Sequence, residues 1–212
     1  MAAINYFKDG KQMKRNNVIA IALFSQIAFA HGAPIMYERT DLVTSAVEQG
    51  VLDIDGLSDT FSGTIAFQKQ CISIPVNFTC EFSLSTRISD NGTEMAIKLS
   101  DLASSGPGWC SGITAFNPSI PWSGQIPYSE LPTRNPPPAV GLYDSIPFSL
   151  YDVSFMTSCG SCAGTLGASY TNAGGGAINL SGSLPSLPGQ PVGNCNLSGS
   201  LKSDSFAYEL WH

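Results

Sequence analysis

An alternation of apolar and polar side chains with a period of two residues is the feature that most constrains the fold of this chain. The alternation is clearest over residues 72–84, where the residues between the apolar positions are Ser, Pro, Asn, Thr and Glu. Successive side chains of a β-strand point to opposite faces, so the pattern predicts a long strand with one buried face. We expect Cys80, which has the apolar parity, to point into the core. The apolar positions are Ile72, Ile74, Val76, Phe78, Cys80, Phe82 and Leu84.

The same alternation recurs elsewhere and predicts further strands. Asp90-Asn91-Gly92 is typical of a hairpin turn between two of them. Leu150 has the opposite parity to the residues that follow it, so we predict a β-bulge near Leu150. The additional strand segments are residues 61–67, 95–99, 151–155 and 206–210.

An internal repeat marks two more strands. The six residues Asn-Leu-Ser-Gly-Ser-Leu occupy positions 179–184 and again 196–201. In each copy the two leucines flank the glycine on one face, which predicts two similar strands joined by a loop over residues 185–193. The central glycine permits a bulge or the close approach of another backbone. Cys195, just before the second copy, is expected to face inward.

Glycine and proline divide the remaining chain. Residues 117–147 hold eight of the 14 prolines, so we predict one long connection there. A single helix is predicted over residues 41–49, with Thr40 as N-cap and Gly50 beyond its end. Short strands separated by Gly/Pro turns favour an antiparallel β-sandwich with long Pro/Gly-rich connections, stabilised by disulfides.

The first 30 residues have the pattern of a signal peptide. Four basic residues precede a mostly apolar stretch over residues 18–30, and Ala28-Phe29-Ala30 fits a cleavage signal before His31. The alternatives are a membrane anchor or a buried helix, but thirteen residues are fewer than the roughly 20 needed to span a bilayer. Met13 offers a second start position. We therefore predict secretion, an N-terminal extension over residues 31–58, and one domain over residues 59–212.

The charge balance argues against nucleic acid as a partner. Without residues 1–30, which hold four of the ten basic residues and one of the 16 acidic residues, six basic and 15 acidic residues remain, a formal net charge of −9. Such a chain has no basic surface for phosphates or an anionic membrane. With 12% charged residues, it also lacks the composition of a coiled coil.

Catalytic motifs are missing from the sequence. His31 and His212 are the only histidines, and they lie at the ends of the chain that signal cleavage would leave. No nucleophile elbow, P-loop or dinucleotide motif occurs. The densest acidic cluster, Asp53, Asp55 and Asp59, lacks the remaining ligands of a calcium loop and is interpreted as a solvated turn. We predict no enzyme activity, no cofactor and no metal site.

The cysteines of an exported chain are expected to form disulfides. Six of them allow 15 pairings, and sequence alone does not choose among these. Cys159 and Cys162 have redox spacing, but they lie among Gly, Ser and Thr rather than at a helix N-terminus, which disfavours that role. The cysteines are Cys71, Cys80, Cys110, Cys159, Cys162 and Cys195.

Three aromatic residues in or beside the proline-rich segment are candidates for contact with an apolar ligand. Exposed on a loop, Trp109, Trp122 and Tyr128 would contact an apolar ligand, a sugar or another protein. The alternative is that the tryptophans cover the edge of the core.

Several short motifs, in their order along residues 60–201, resemble the alkane oxidation protein activator family, the PraB-like secreted proteins of Gram-negative bacteria. Cys71, Cys162 and the proline-rich segment depart from the family pattern. The motifs are Phe61-Ser-Gly63, Cys80 with Phe82, Trp109-Cys110-Ser-Gly-Ile113, Ala115, Pro121-Trp122, Cys159-Gly160, Gly176-Ala-Ile178, Gly193-Asn-Cys195 and Gly199-Ser-Leu201.

The resemblance implies a small secreted β-protein linked to growth on alkanes and to the cell surface or biofilm matrix. A hydrophobic surface or alkane, and self-association, are the implied partners, and no catalytic residue is carried over. The family-like cysteines suggest the pairs Cys80–Cys110 and Cys159–Cys195, which leaves Cys71–Cys162.

A different class of protein offers an alternative hypothesis. The segment from Phe61 to Cys71 is similar to the first strand of chaperone–usher pilins, and the alternating residues 206–210 resemble their C-terminus. This predicts a fimbrial or filament subunit that assembles by β-strand complementation.

Overall fold

The computed structural model describes residues 33–71, 74–133, 145–172, 175–190 and 193–212. The predicted signal peptide, Ile72 and Pro136 to Pro138 lie outside these residues. The described residues form eleven strands and two short 3-10 helices, Gly108–Gly112 and Tyr128–Glu130. The strands are β1 (Met36–Asp41), β2 (Val47–Val51), β3 (Leu57–Cys71), β4 (Ile74–Asp90), β5 (Glu94–Ser105), β6 (Trp122–Pro127), β7 (Ile146–Thr157), β8 (Gly160–Thr171), β9 (Ala177–Leu184), β10 (Cys195–Ser203) and β11 (Phe206–Trp211).

Eight strands form a closed antiparallel barrel in the order β10-β3-β4-β5-β6-β7-β8-β9. The sheet closes because β10 is hydrogen-bonded to both β3 and β9. The prediction of an antiparallel all-β fold with disulfides is confirmed, whereas the main sheet is a barrel and not a two-sheet sandwich. Alternation shows that a strand has one buried face. Because strands of sandwiches and strands of barrels both show this pattern, it does not distinguish the two folds.

The barrel interior is filled by side chains. Phe155 lies near its centre, with ring centroids 4.9 Å from Trp122, 5.7 Å from Phe67 and 5.9 Å from Phe82. Cys80 is buried, as the alternation predicted. An eight-stranded barrel has an interior just wide enough for side chains, and here large aromatic side chains occupy it.

A three-stranded sheet, in the order β11-β1-β2, covers one end of the barrel. Tyr208 stacks on Phe61 with ring centroids 5.9 Å apart. The backbone of Leu210 exchanges two hydrogen bonds with the Asn172 side chain, at 2.7 and 2.9 Å. Asp90, at the end of β4, accepts a hydrogen bond from the backbone N–H of Ile35. The first and last strands of the described chain therefore seal the barrel together.

The helix predicted over residues 41–49 is wrong, because this segment forms the turn and second strand of the β1–β2 hairpin. The Asp41 carboxylate accepts hydrogen bonds from the backbone N–H groups of Val43 and Thr44, at 2.8 and 2.7 Å. Ser45 has a φ of 59°, which reverses the chain. Asp and Ser are common both at helix starts and in tight turns. Here β1 pairs with β11 and with β2, and this pairing requires a turn after Asp41.

Two disulfides, Cys71–Cys159 and Cys162–Cys195, cross-link the opposite end of the barrel. The pairs Cys159–Cys195 and Cys71–Cys162 suggested by the family pattern are therefore wrong. Cys159 lies in the turn before β8, near the end of β3, whereas Cys162 lies within β8 and is fully buried. The third pair, Cys80–Cys110, is confirmed.

The two repeat copies form most of β9 and most of β10, and the predicted strands pair with each other. Leu197 lies opposite Gly182, and Gly199 lies opposite Leu180. A Cβ atom on Gly199 would lie 2.3 Å from the backbone oxygen of Thr64 in β3. The expected close approach of another backbone is therefore confirmed at Gly199.

The bulge predicted near Leu150 is also confirmed. The pairing of β7 with β8 shifts between Leu150 and Val153, and Asp152 has a φ of 60°. The shift lets Leu150 and Val153 both point into the barrel while Tyr151 points outward.

The proline-rich segment, predicted as one long connection, contains strand β6. Trp122, Gly124 and Ile126 alternate inward, and the prolines fall at the strand's borders, at Pro121 and Pro127. A proline at a strand's first or last position removes no hydrogen bond from its middle, so the segment can form a barrel strand.

Candidate apolar contact site

Residues 106–121, here called the apolar loop, complete the barrel wall beside a short strand. β6 begins at Trp122, which pairs with Leu99 of β5, so the later residues of β5 have no partner in β6. β6 pairs with β7 only at Ser123 and Gly124. Beyond that point the loop hydrogen-bonds to β7, since Thr114 and Met156 exchange backbone hydrogen bonds of 3.1 and 2.7 Å. The loop therefore takes the place that a longer β6 would occupy.

Several contacts pin the apolar loop to the barrel. The disulfide Cys80–Cys110 joins it to β4. The Ser104 hydroxyl of β5 lies 2.6 Å from the backbone oxygen of Cys110 and 2.7 Å from that of Ile113. Cys110 and Ile113 are buried and fill the interior from the loop side. The loop is thus held on three strands and keeps one conformation at little further cost in entropy.

The apolar loop also exposes large apolar side chains to solvent. Trp109 is 47% exposed, Phe116 48% and Ile120 44%, and neighbouring Met156 is 46% exposed. The loop sequence contains no Asp, Glu, Lys, Arg or His. Because no charge must be desolvated when it is covered, this face suits contact with an apolar phase or surface.

The structure places the three aromatic residues suggested by the sequence in different environments. Trp109 is on the exposed face of the apolar loop. Trp122 is 2% exposed and packs inside the barrel. Tyr128 is half-buried, and its hydroxyl donates a hydrogen bond to the Asp90 carboxylate, while its ring lies 4.7 Å from that of His212. Burial and this hydrogen bond raise the pKa of Tyr128. Only Trp109 of the three is positioned for contact at the surface.

Sequence reasoning missed Phe116 and Ile120. Both lie among Thr, Ala, Asn, Pro and Ser, without the alternation that predicts a strand. The available signal was the lack of any ionisable residue over residues 106–121, apart from the disulfide-bonded Cys110. Long loops that are apolar and uncharged are good candidates for contact surfaces.

Lysine 69 is the most unusual polar group in the described core. Lys69 is 1% exposed, and burial lowers its pKa. Its Nζ lies 2.5 Å from Ser186 Oγ and 2.6 Å from the backbone oxygen of Gly193, which accept its hydrogen bonds, and 3.4 Å from Cys162 Sγ. Because it is enclosed and partnered, Lys69 joins the β9–β10 loop to the cross-linked end of the barrel.

The acidic residues considered as calcium ligands take part in local structure. Asp59 accepts hydrogen bonds from Ser203 and, at 3.2 Å, from Tyr208. Burial, together with Asp59, raises the pKa of Tyr208. Asp53 accepts a hydrogen bond of 2.7 Å from the backbone N–H of Gly56. Within the described residues, no group of three or more His, Cys, Asp or Glu side chains is placed to hold a metal ion.

The described part of the chain contains no helix long and apolar enough to cross a membrane.

Comparison with known proteins supports the resemblance seen in the sequence. The family model described as "Alkane oxidation protein activator PraA/PraB-like" matches residues 13–208. No curated protein and no solved structure matches the chain. The matched region includes the whole barrel, the apolar loop and all six cysteines. Because the match covers nearly the whole chain, the protein belongs to the PraA/PraB-like family of alkane oxidation protein activators.

Proposed function

We propose that this protein is exported and acts without catalysis, by contacting alkane or other hydrophobic surfaces through the apolar loop. One observation carries the proposal: Trp109, Phe116 and Ile120 are exposed together on a loop that a disulfide and hydrogen bonds hold against the barrel. Membership of an alkane oxidation activator family agrees with an apolar partner.

The energetics of the apolar loop favour adsorption. Full burial of a large apolar side chain contributes about 1.5–3 kcal/mol. Since about half of Trp109, Phe116 and Ile120 is already covered, the three together would contribute about 3 kcal/mol, or roughly a 100-fold change in partition. Alkane offers no hydrogen bonds, so a surface suited to it must leave no backbone group unsatisfied. Contacts of the loop with β5 and β7 reduce that cost.

Export is supported by the cysteine chemistry. All six cysteines form disulfides, and two of the three disulfides cross-link one end of the barrel. Such cross-links persist in the periplasm and outside the cell, not in a reducing cytoplasm. Together with the predicted signal peptide, they support a function outside the inner membrane, at the cell surface or in the biofilm matrix.

Adsorption to hexadecane droplets tests this function. Oxidised protein is mixed with emulsified hexadecane, and the protein left in the aqueous phase is measured after the droplets are removed. We expect the wild type to be depleted, and the variant Trp109→Ser/Phe116→Ser/Ile120→Ser to partition about 100-fold less.

A matched variant controls for general hydrophobicity. Ile54→Ser/Ile74→Ser/Tyr151→Ser removes three apolar side chains that are 74%, 69% and 51% exposed elsewhere. It should adsorb like the wild type. Equal losses in both variants, or no adsorption of the wild type, would contradict the proposal.

A filament subunit remains the second candidate, and the side of β2 for which the structure describes no partner favours it. Every strand of the described barrel already pairs with two neighbours, so the barrel offers no open strand position. In contrast, β2 pairs only with β1 among the described residues. Assembly through strands would therefore use the three-stranded sheet.

A further inference from the structure

Strand β2 forms an exposed edge that is unusually apolar. It lies at the side of the three-stranded sheet, and the structure describes a partner for it on one side only. We call five side chains on it and the adjoining turns the aliphatic edge. They are among the eleven exposed large apolar side chains of the described residues. The five are Leu42 at 56% exposure, Val43 at 91%, Val47 at 58%, Val51 at 54% and Ile54 at 74%.

This edge lacks the features that usually prevent strands from pairing. Edge strands are commonly protected by proline, by a bulge or by charged side chains, especially lysine. β2 reads Val-Glu-Gln-Gly-Val, and Glu48 is its only charged residue. That charge is compensated within the same chain, since the Glu48 carboxylate lies 2.7 Å from the Arg39 guanidinium and accepts a hydrogen bond of 2.7 Å from Tyr37.

The sequence of β2 is complementary to itself in the antiparallel direction. We propose that β2 pairs with β2 of a second copy of this chain, in a register centred on Gln49. Val47 then lies opposite Val51 of the other copy, and Glu48 lies opposite Gly50. No two like charges face each other, and the apolar cross-strand pairs stabilise the ladder. The two sheets join into one six-stranded sheet with two-fold symmetry, which closes at a dimer.

The same register accounts for the rest of the aliphatic edge. The same two-fold symmetry brings the turn before Val47, which carries Leu42 and Val43, toward the segment after Val51 of the second copy, which carries Ile54. One symmetry operation thus covers side chains that lie at opposite ends of β2. The proposal does not depend on contact with alkane, because the apolar loop is on the barrel wall and contributes nothing to this interface.

Charge substitutions at Val47 and Val51 test the register through the dissociation constant of the dimer, measured by analytical ultracentrifugation. Val47→Lys and Val51→Glu should each weaken the dimer at least about tenfold, because each places a charge opposite a valine. The double variant Val47→Lys/Val51→Glu should recover to within about threefold, since opposite charges then face each other twice. Val47→Lys/Val51→Lys should weaken it most.

Controls separate the interface from folding and from the function proposed above. Ile74→Lys, at an exposed site on the barrel, should leave the dimer unchanged. All variants should keep the wild-type thermal midpoint when it is measured at a concentration low enough for every form to be monomeric. A wild type that stays monomeric at about 300 μM, above the micromolar range of weak interfaces, overturns the proposal. So does a dimer that survives in Val47→Lys/Val51→Lys, a double variant that fails to recover, or open-ended polymers. Hexadecane adsorption should be the same in the wild type and in all five variants.

Discussion

The apolar loop and the aliphatic edge expose similar side chains, but their backbones differ. The loop is fixed by the Cys80–Cys110 disulfide, and Thr114 uses its backbone to pair with Met156. β2 has strand geometry and pairs with β1 alone in the described part of the chain. Where the backbone has already formed its hydrogen bonds, apolar side chains suit a partner that has no hydrogen-bonding groups, such as alkane. The same side chains on a strand edge suit another strand.

The two regions also differ in charge. No residue of the apolar loop carries a titratable side chain except the disulfide-bonded Cys110. The sheet at the aliphatic edge depends on Glu48, Arg39 and Tyr37, which are joined by an ion pair and a hydrogen bond. Acid should therefore affect the edge and leave the loop unchanged.

The largest expected effect comes from removing the anchor of the loop. Cys80→Ala/Cys110→Ala opens a disulfide that spans 30 residues of sequence, which should lower the free energy of unfolding by about 3 kcal/mol. Adsorption to hexadecane should fall as well, because the loop must then be ordered upon contact. Chemical denaturation and droplet depletion measure the two quantities. Loss of stability with undiminished adsorption would show that the anchor does not prepare the contact surface.

A pair of glycine substitutions gives an intermediate effect and separates the two regions. A Cβ atom at Gly50 would lie 2.8 Å from the Tyr37 ring, whereas nothing lies within 4 Å of one at Gly112. Gly50→Ala should therefore cost about 1–3 kcal/mol of stability and weaken the dimer, since the Tyr37 ring or β2 must shift. Gly112→Ala, in the loop, should stay within about 0.5 kcal/mol of wild type. Thermal or urea unfolding compares them, and equal costs would contradict the packing described for β2.

The smallest expected effect is a local response of the edge to acid. Hydrogen bonds from Tyr37 and Arg39 lower the pKa of Glu48 below its ordinary value of 4.5. A lowered carboxyl pKa stabilises the folded hairpin above pH 4.5, and this contribution is lost as the pH falls through the lowered pKa. Amide exchange of β2, corrected for intrinsic rates, should therefore accelerate in acid, with no such change at Thr114.

Glu48→Gln is the control for this response. The variant should show lower protection of β2 at neutral pH and no further acid dependence. An acid response of equal size in Glu48→Gln would assign the effect to other groups.

The strands of this protein were predictable because alternation is a local property. Residues 72–84 and the opposite parities around Leu150 gave both a long strand and the position of a bulge. Barrel closure was not predictable in this way, since β10 pairs with β3 about 130 residues earlier in the chain. The same long-range geometry decides that Cys71 pairs with Cys159, and local spacing contains no information on it.

The candidate site was predictable only in part. Trp109 was identified as a candidate contact residue, and the structure exposes it. The sequence places Trp122 with it because both lie in or close to the proline-rich segment, but Pro121 and Pro127 only border a strand that turns Trp122 inward. The aliphatic edge was hidden by the helix predicted over residues 41–49, where Asp41 forms a turn.

Fluorescence of Trp109 at the hexadecane surface is the most direct test of the central claim, that the apolar loop makes the contact. The Trp109 signal is isolated as the difference between the wild type and Trp109→Phe, because Trp122 and Trp211 are present in both. On adding droplets, we expect the Trp109 emission to shift to shorter wavelength and to become protected from acrylamide. Adsorption of the protein with the Trp109 emission unchanged would contradict the claim and place the contact elsewhere on the surface.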